Sequence, residues 1–376
     1  MTVIHEAPSA GKGSSSRISL KPSLNWLLIF IPVSLALESA HAPDPVLFFS
    51  AALAIVPIAR LIVLSTEQLA TRTGDAVGGL LNATFGNAPE LIIALVALRA
   101  GMLDMVRASI IGAILANLML AMGVAFLLGG LRYHTQEYNS GAARLYSSMM
   151  LISAVSLGVP SAFNRFFSPD STIHAEKLVN LGTAVVLLAA YALYLVFLLK
   201  THPDYFASAT ARQDEHGHGG SQWSLGRAVG SLVGASLLAA WMSELLVGAV
   251  EEASHAFGLT EVFVGVIVVA VVGNAAEHST AVLVARKNHM DLALNIAVGS
   301  SIQIALLVAP LLVFASYFIG PAPLDLRFTI FEVLAVGIAV FIANSVAQDG
   351  ESNWLEGFQL LGVYVILGIA FYLIPA

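Results

Sequence analysis

Long runs of apolar residues, separated by short polar intervals, dominate the chain. The hydrocarbon core of a bilayer is about 30 Å thick, so a helix needs about 20 apolar residues to cross it. The pattern therefore predicts an all-α integral membrane protein, and it excludes a transmembrane β-barrel, whose strands alternate over segments of about ten residues. Eleven runs predict the transmembrane helices, and they cover residues 23–39, 44–65, 75–100, 104–130, 143–165, 173–200, 225–252, 259–286, 291–318, 325–347 and 353–374.

The longest polar interval, 201–222, follows the sixth predicted helix and divides the chain. Its acidic and histidine-containing cluster, Asp214–His218, is interpreted as part of a flexible, solvated linker, with weak metal sensing as the alternative. One helix and two units of five helices then remain. The predicted organisation is a disordered cytoplasmic tail over 1–22, an amino-terminal transmembrane helix over 23–43, five-helix repeats over 44–200 and 224–376, and a cytoplasmic linker over 201–223.

The distribution of Lys and Arg predicts the orientation. With the amino terminus inside, the cytoplasmic segments hold eleven of these residues and the outer loops five. Cytoplasmic loops carry the excess of positive charge in membrane proteins. We therefore expect a cytoplasmic amino terminus, a cytoplasmic linker and an external carboxyl terminus. The tail has neither the early apolar core nor the cleavage site of a secretory signal.

Composition narrows the class of protein further. Hydrophobic residues make up 57% of the chain and charged residues 11%, whereas soluble domains carry about 25% charged residues. With a mean hydropathy of +0.83, an ordinary soluble enzyme is excluded and the lipid bilayer is the expected partner. No basic run indicates a nucleic acid, and the absence of cysteine excludes disulfides and thiolate metal sites. Assembly as a homo-oligomer remains open.

A short motif occurs twice, as Gly-Asn-Ala-Pro-Glu at 86–90 and Gly-Asn-Ala-Ala-Glu at 273–277. A shift of 187 residues aligns 86–112 with 273–299 and gives eight identities in 27 columns, where average composition gives about two. Because each unit holds five predicted helices, an odd number, the two copies must enter the membrane from opposite sides. Many secondary transporters have this inverted arrangement, with the substrate site at the midplane between the repeats.

The two motif glutamates, Glu90 and Glu277, lie deep in apolar segments. An ionisable group at the centre of a membrane helix costs about 2.5–3.5 kcal/mol, so each needs a partner, a proton or a cation. Gly86 and Gly273, four residues earlier, loosen the helix, and Pro89 removes a backbone donor. Carbonyls released there can turn inward as ligands, although Pro89 taken alone fits a simple kink equally well.

Asn87 and Asn274 add amide oxygens to the two carboxylates. An all-oxygen set suits a hard cation, and Ca²⁺ takes about 6–8 oxygen ligands in a flexible shell. Two ionised glutamates around a divalent cation have no net charge, and neither do two protonated glutamates without a cation. A neutral site crosses a low-dielectric barrier at a lower free-energy cost than an empty site with two negative charges. Protons and the cation then compete for the same oxygens. This predicts an antiporter of H⁺ and a hard divalent cation such as Ca²⁺. Both ions are transported substrates, and no resident cofactor is expected.

Neighbouring polar side chains are predicted to support the site. The amides in otherwise apolar spans are interpreted as ligands or as groups that orient the glutamates. For the hydroxyls, the alternative is a hydrogen bond to their own helix. The histidine points about 100° away from Glu277 on a helix, so structural and proton-transfer roles both remain. These residues are Asn117, Gln303, Ser300, Ser301 and His278.

Five acidic residues near predicted helix ends have less specific interpretations. Asp104 and Asp291 open matching helices, where a short carboxylate caps free N–H groups, so both are predicted to be structural. Glu67, Glu251 and Glu252 fit an ion-attracting vestibule or simply solvated helix ends.

Three long stretches resemble the calcium/cation–proton exchanger (CAX) family of the cation/Ca²⁺ exchanger superfamily. They are GGLLNATFGNAPELIIALVAL (78–98), SELLVGAVEEASHAFGLTEVFVGVIV (243–268) and VGNAAEHSTAVLVARKNHMDLALNIAVGSSIQIALLVAP (272–310). The resemblance implies two inverted five-helix repeats after a first helix, and export of cytosolic Ca²⁺ across a bacterial plasma membrane against inward proton flow. It also implies that Glu90 and Glu277 carry both the cation and the protons.

The chain departs from this family at two places. Position 113 is Ala where members often have Ser, and the 201–222 loop is short with few carboxylates, so a regulatory Ca²⁺ site there is not expected. A sodium/calcium exchanger is the first rival, but such relatives place hydroxyl residues where this chain has Asn87 and Asn274. A proton-coupled exchanger of Mn²⁺ or another divalent cation is a second alternative.

Rivals of other classes are an ion channel and an intramembrane protease. A channel would carry flux without a coupling ion, and a protease would need His or Asp pairs facing a cavity. The sequence contains no nucleophile–base set and no phosphate-binding loop, so it predicts a protein that is not an enzyme.

Overall fold

The computed structural model describes residues 24–73, 75–167, 173–202 and 223–374, and this part of the chain is mostly helical. The described helices are α1 (Leu24–Ser39), α2 (Asp44–Thr73), α3 (Asp75–Phe85), α4 (Ala88–Arg99), α5 (Leu103–Tyr133), α6 (Ser140–Phe167), α7 (Ile173–Thr201), α8 (Leu225–Gly248), α9 (Val250–Phe257), α10 (Glu261–Gly273), α11 (Ala275–Ala285), α12 (Met290–Ile319), α13 (Ile330–Val346) and α14 (Trp354–Leu373). Two short strands, β1 (Thr135–Glu137) and β2 (Glu351–Asn353), pair antiparallel. The predicted tail and the Asp214–His218 cluster lie outside the described residues.

Seven of the described helices are long and apolar enough to cross a membrane, namely α2, α5, α6, α7, α8, α12 and α14. The pair α9 and α10, bent by 109°, gives an eighth span if it is counted as one. The prediction of a mostly helical membrane protein is confirmed. Length and composition alone give fewer spans than the eleven predicted, because α1 and α13 are short and two of the predicted spans are broken.

Both predicted spans that contain the repeated motif break at the motif. Gly86 and Asn87 separate α3 from α4, and Asn274 alone separates α10 from α11. The two asparagines leave the helical region, with φ −97° and ψ 26° at Asn87 and φ −86° and ψ 4° at Asn274. Each glutamate consequently lies in the first turn of a new helix, where backbone N–H groups carry partial positive charge.

One end of the bundle, here named the sheet end, is formed by residues 134–139, 285–289 and 347–353. Strands β1 and β2 pair there, and Gln136 Nε2 donates to the carbonyl of Ala285 at 2.9 Å and to Asn288 Oδ1 at 2.8 Å. The end of α5 and the start of α12 are therefore neighbours at the sheet end.

The opposite end contains the start of α5 and the segment after α12. Arg107 donates to Asp325 Oδ1 at 2.6 Å. Asn180 of α7 donates to the carbonyl of Leu324 at 3.0 Å and accepts from the backbone N–H of Leu326 at 2.9 Å. Together with the contacts at the sheet end, this means that α5 and α12 run in opposite directions through the bundle.

Close approach of two backbones fixes the position of α5 against α10. A Cβ on Gly112 would lie 2.2 Å from the carbonyl oxygen of Val266, and a Cβ on Gly265 would lie 2.7 Å from the Cβ of Ala108. Only glycine permits such a crossing. Since α10 leads directly into Asn274, this contact helps to place the second motif beside α5.

Candidate functional site

Each motif glutamate lies against the glycine of the other motif. A Cβ built on Gly86 would be 3.6 Å from Glu277 Oε1, and one built on Gly273 would be 3.6 Å from Glu90 Oε1. The structure thus brings together two motifs that are 187 residues apart in the sequence. The relation is reciprocal, and the absence of a side chain at both glycines lets each carboxylate approach the opposing break.

The two carboxylates are near enough to interact electrostatically, but their hydrogen bonding differs. Ser300 Oγ donates to Glu277 Oε2. In contrast, Glu90 Oε2 is buried and accepts no hydrogen bond from any described group. Ser300 thus holds one oxygen of Glu277, whereas Glu90 Oε2 has no donor among the described groups.

The motif asparagines are also buried, with Asn87 3% exposed and Asn274 fully buried. The amide nitrogen of Asn87 donates to Gln303 Oε1 at 2.5 Å, and that of Asn274 donates to the carbonyl of Ala270 at 2.8 Å. Among described groups, neither amide oxygen finds a donor. Buried polar atoms without a partner are rare and costly. The two motifs together leave three such acceptors, namely the two amide oxygens and Glu90 Oε2.

A small cavity adjoins this set. Glu90 and Asn274 line it together with Ser109 and Ala113 of α5, and its volume is about 20 Å³. A cavity of this size holds about one water molecule. The cavity therefore has room beside Glu90 for one water molecule or for an ion without its hydration shell.

The described residues include no group of three or more His, Cys, Asp or Glu side chains arranged to hold a metal ion. A cation at this site would therefore bind two carboxylates and otherwise neutral oxygens. Hard cations such as Ca²⁺ accept such ligands from amides, backbone carbonyls and water.

The predicted supporting residues have separate positions. Gln303 contacts Asn87 and Ser300 contacts Glu277, whereas Ser301 donates to the carbonyl of Ala297 on its own helix at 3.0 Å. Asn117 was expected to act as a ligand or to orient a glutamate, but its Oδ1 lies 2.8 Å from His278 Nε2. His278 follows Glu277 directly, so Asn117 reaches the site through the histidine.

The acidic residues at the helix ends do not form one vestibule. Glu67 lies beside Gln68, which accepts from the backbone N–H of Trp223 at the start of α8 at 2.9 Å. Glu251 and Glu252 are exposed in the first turn of α9, just after the end of α8. A helix of 24 residues is about 36 Å long, so Glu67 lies near one end of α8 and the other two lie near its other end.

The predicted capping roles of Asp104 and Asp291 are wrong. The residues at the helix starts make no side-chain capping bond. Asp104 instead accepts from Arg107 at 2.5 Å, and Asp291 accepts from the backbone N–H of Asn139 at 2.6 Å. Asp104 therefore bonds to a side chain one turn later in its own helix, whereas Asp291 holds the segment that precedes α6.

Two polar residues were missed from the sequence. Ser109 lines the cavity, and Asn295 Oδ1 accepts from the hydroxyl of Tyr146 at 2.9 Å. The signal for Asn295 was present, because Asp291, Asn295, Gly299 and Gln303 are spaced by four and share one face of α12.

Comparison with known proteins finds a matching family and relatives that align with nearly the whole chain. The family described as "Sodium/calcium exchanger protein" matches residues 44–200 and 227–373. A Ca²⁺/H⁺ antiporter of Aphanothece halophytica is 44% identical over 93% of this chain and 96% of its own length. The Ca²⁺/H⁺ antiporter ChaA of Bacillus subtilis (strain 168) is 40% identical over 92% of this chain and 97% of its own. The solved structure of native YfkE matches with a TM-score of 0.80 and 36% identity, covering 94% of this chain and all of that one.

Proposed function

The chain belongs to the sodium/calcium exchanger protein family, and we propose that within this family it is a secondary active transporter that exchanges Ca²⁺ for H⁺ by alternating access. The relatives named Ca²⁺/H⁺ antiporter align with it over more than nine tenths of its length. In the proposed direction, inward proton flow drives export of cytosolic Ca²⁺.

The observation that carries this proposal is the reciprocal pair of broken helices. Glu90 and Glu277, one from each motif, lie against the opposing glycines, and nearby amide oxygens lack donors in the described protein. A divalent cation would satisfy these oxygens and neutralise the two charges. Protons would neutralise the same carboxylates, so the two substrates exclude each other.

Competition between Ca²⁺ and protons for the same carboxylates couples their transport if the empty site cannot change its exposure from one side of the membrane to the other. A cation-loaded site and a doubly protonated site both carry no net charge from the glutamates. The unloaded dianion would have to be taken through a low-dielectric barrier, which is costly. The transporter therefore returns only after it has exchanged one substrate for the other.

We further propose eleven transmembrane helices, with two inverted five-helix repeats after α1. The broken helices α3 with α4 and α10 with α11 then count as one span each. The opposite directions of α5 and α12 support the inversion, and so does the separate match of each half to the same family.

The proposed orientation places the sheet end in the cytoplasm, at a bacterial plasma membrane. Arg132, Arg286 and Lys287 lie at this end, which agrees with the excess of positive charge in cytoplasmic loops. The amino terminus is cytoplasmic in this arrangement.

The proposal is tested with purified protein in proteoliposomes. An imposed proton gradient should drive ⁴⁵Ca²⁺ uptake, whereas a sodium gradient at constant pH should not. Glu90→Gln and Glu277→Gln should each abolish the proton-driven uptake, while the variants still elute as folded protein in size-exclusion chromatography. Strong transport by both variants would rule out the shared carboxylate site, and sodium-driven uptake would favour a sodium/calcium exchanger instead.

A further inference from the structure

One of the positions at which the two halves of the site differ lies beside the glutamates. In the 187-residue alignment, Ser300 of the second repeat corresponds to Ala113 of the first. The hydroxyl of Ser300 holds Glu277 Oε2, but Ala113 has no hydroxyl, and Glu90 Oε2 is left without a protein donor among the described groups. The unequal hydrogen bonding of the two glutamates thus follows from a difference between the repeats.

Ala113 lies in the same cavity as Glu90, so a hydroxyl at this position would face the region of the Glu90 carboxylate. Ala113 is 3% exposed and lines the cavity of about 20 Å³ next to Glu90 and Asn274. Its neighbour Gly112 is packed against the backbone of Val266, so α5 cannot rotate freely at this point. A serine oxygen needs no more room than a water molecule, and this cavity has that room.

No other described side chain replaces the missing hydroxyl. Ser109 also lines the cavity, but its Oγ donates to the carbonyl of Val106 on its own helix at 2.8 Å. The amide nitrogen of Asn274 is used by the carbonyl of Ala270. Position 113 is therefore the place at which a donor to Glu90 would be gained.

We propose that Ala113 broadens the cation selectivity of this transporter. Without a hydroxyl at position 113, no described group holds Glu90 Oε2, so this oxygen can adjust to hard divalent cations of different radius. The proposal rests on the Ca²⁺/H⁺ exchange proposed above. Selectivity among such cations depends on cavity size, ligand number and ligand flexibility. Ser300 holds Glu277 Oε2, whereas Glu90 Oε2 has no donor among the described groups. One side of the site therefore adapts to the ion, and cations such as Sr²⁺ and Mn²⁺ are accepted beside Ca²⁺.

The test compares Ala113→Ser with Ala113→Cys, which has a similar shape but only a weak donor. Isothermal titration calorimetry at one pH measures the binding of Ca²⁺, Sr²⁺ and Mn²⁺ to the purified full chain. Inhibition of proton-driven ⁴⁵Ca²⁺ uptake by Sr²⁺ and Mn²⁺ measures selectivity in transport. Residues that hydrogen-bond to metal ligands typically change metal affinity by about 10–100-fold. Ala113→Ser should therefore weaken the binding of Sr²⁺ and Mn²⁺ relative to that of Ca²⁺ by roughly 10-fold. Ala113→Cys should keep the affinity ratios of the wild-type protein.

A second variant tests the other half of the site. Ser300→Ala frees Glu277, so it should reduce the discrimination between Ca²⁺ and the other cations further. Unchanged cation ratios in folded Ala113→Ser, or in folded Ser300→Ala, would overturn the proposal.

The proposed function is judged separately. If wild-type protein shows proton-driven Ca²⁺ uptake while both variants keep its selectivity, the inference about Ala113 is wrong and the antiport stands. If wild-type protein shows no proton-coupled uptake, the antiport is wrong, and the calorimetric ratios still decide whether position 113 controls cation choice.

Discussion

Replacing Gly112 with alanine tests the close crossing of α5 and α10. The new Cβ would lie 2.2 Å from the carbonyl oxygen and 2.5 Å from the Cα of Val266, where real contacts are essentially never below 3.0 Å. These are backbone atoms, so no side-chain rotation relieves the clash, and the two helices must separate by close to 1 Å. Overpacking of this kind typically costs about 1–3 kcal/mol.

A matched control separates this clash from the general effect of alanine in a helix. Gly182, in the middle of α7, has nothing within 4 Å of a built Cβ. Gly182→Ala should therefore gain the helix preference of alanine, about 0.5–1 kcal/mol. The two substitutions have the same chemistry, so their difference in stability reports the crossing alone.

Thermal unfolding of the detergent-solubilised protein, followed by fluorescence-detected size-exclusion chromatography, measures both variants. Gly112→Ala should melt several degrees below wild type, and Gly182→Ala at or above it. Separation of the helices should also disturb the neighbouring Ala113 and Asn274, so Ca²⁺ affinity should fall in Gly112→Ala only. Wild-type stability and affinity in Gly112→Ala would refute the contact between the two backbones.

Three further substitutions address how the ends of the helices are held. The side chain of Arg107 is 17% exposed and bonds to Asp325, whereas that of Arg99 is 73% exposed in its ion pair. Arg107→Gln should therefore lower the free energy of unfolding by about 1.5–3 kcal/mol, and Arg99→Gln by about 0–1 kcal/mol. The melting temperatures of the two variants measure this difference. Equal losses would contradict the argument from burial. Thr329→Ala removes the capping box that Thr329 forms with Glu332 at the start of α13 and should cost about 0.5–2 kcal/mol, while calorimetry should find Ca²⁺ affinity unchanged.

The positions of the helices and of their breaks could be predicted because they depend on local sequence. Apolar runs of membrane length predicted most helices, and the glycines of the motif, with Pro89, predicted the interruptions near Gly86 and Gly273. The ends of helices were less accurate. The run 44–65 predicted a helix that in fact continues to Thr73, because the polar residues after the apolar run remain helical, with the Ser65 and Thr66 hydroxyls bonded to preceding carbonyls.

The contacts of individual polar side chains could not be predicted from the sequence. Ser300 and Ser301 are adjacent and chemically identical, and only the rotation of α12 decides that the first reaches Glu277 and the second bonds to its own helix. The helices also contain π-helical turns at Ala116–Ala121 and Ile304–Val308. Such turns change the angular position of later residues, so the face on which Asn117 lies does not follow from regular helical spacing.

The unpaired oxygens of the site explain why the two halves must work together. An acceptor that is buried without a donor costs about 1–3 kcal/mol, and the described protein leaves Glu90 Oε2 and both motif amide oxygens in this state. If the protein itself supplied donors to these oxygens, the empty site would be more stable and substrate binding would release less free energy. Because each break contributes an asparagine oxygen and a glutamate, a ligand bound by one motif alone would leave the other motif unsatisfied. The geometry therefore favours a single ion shared between the motifs over two independent sites.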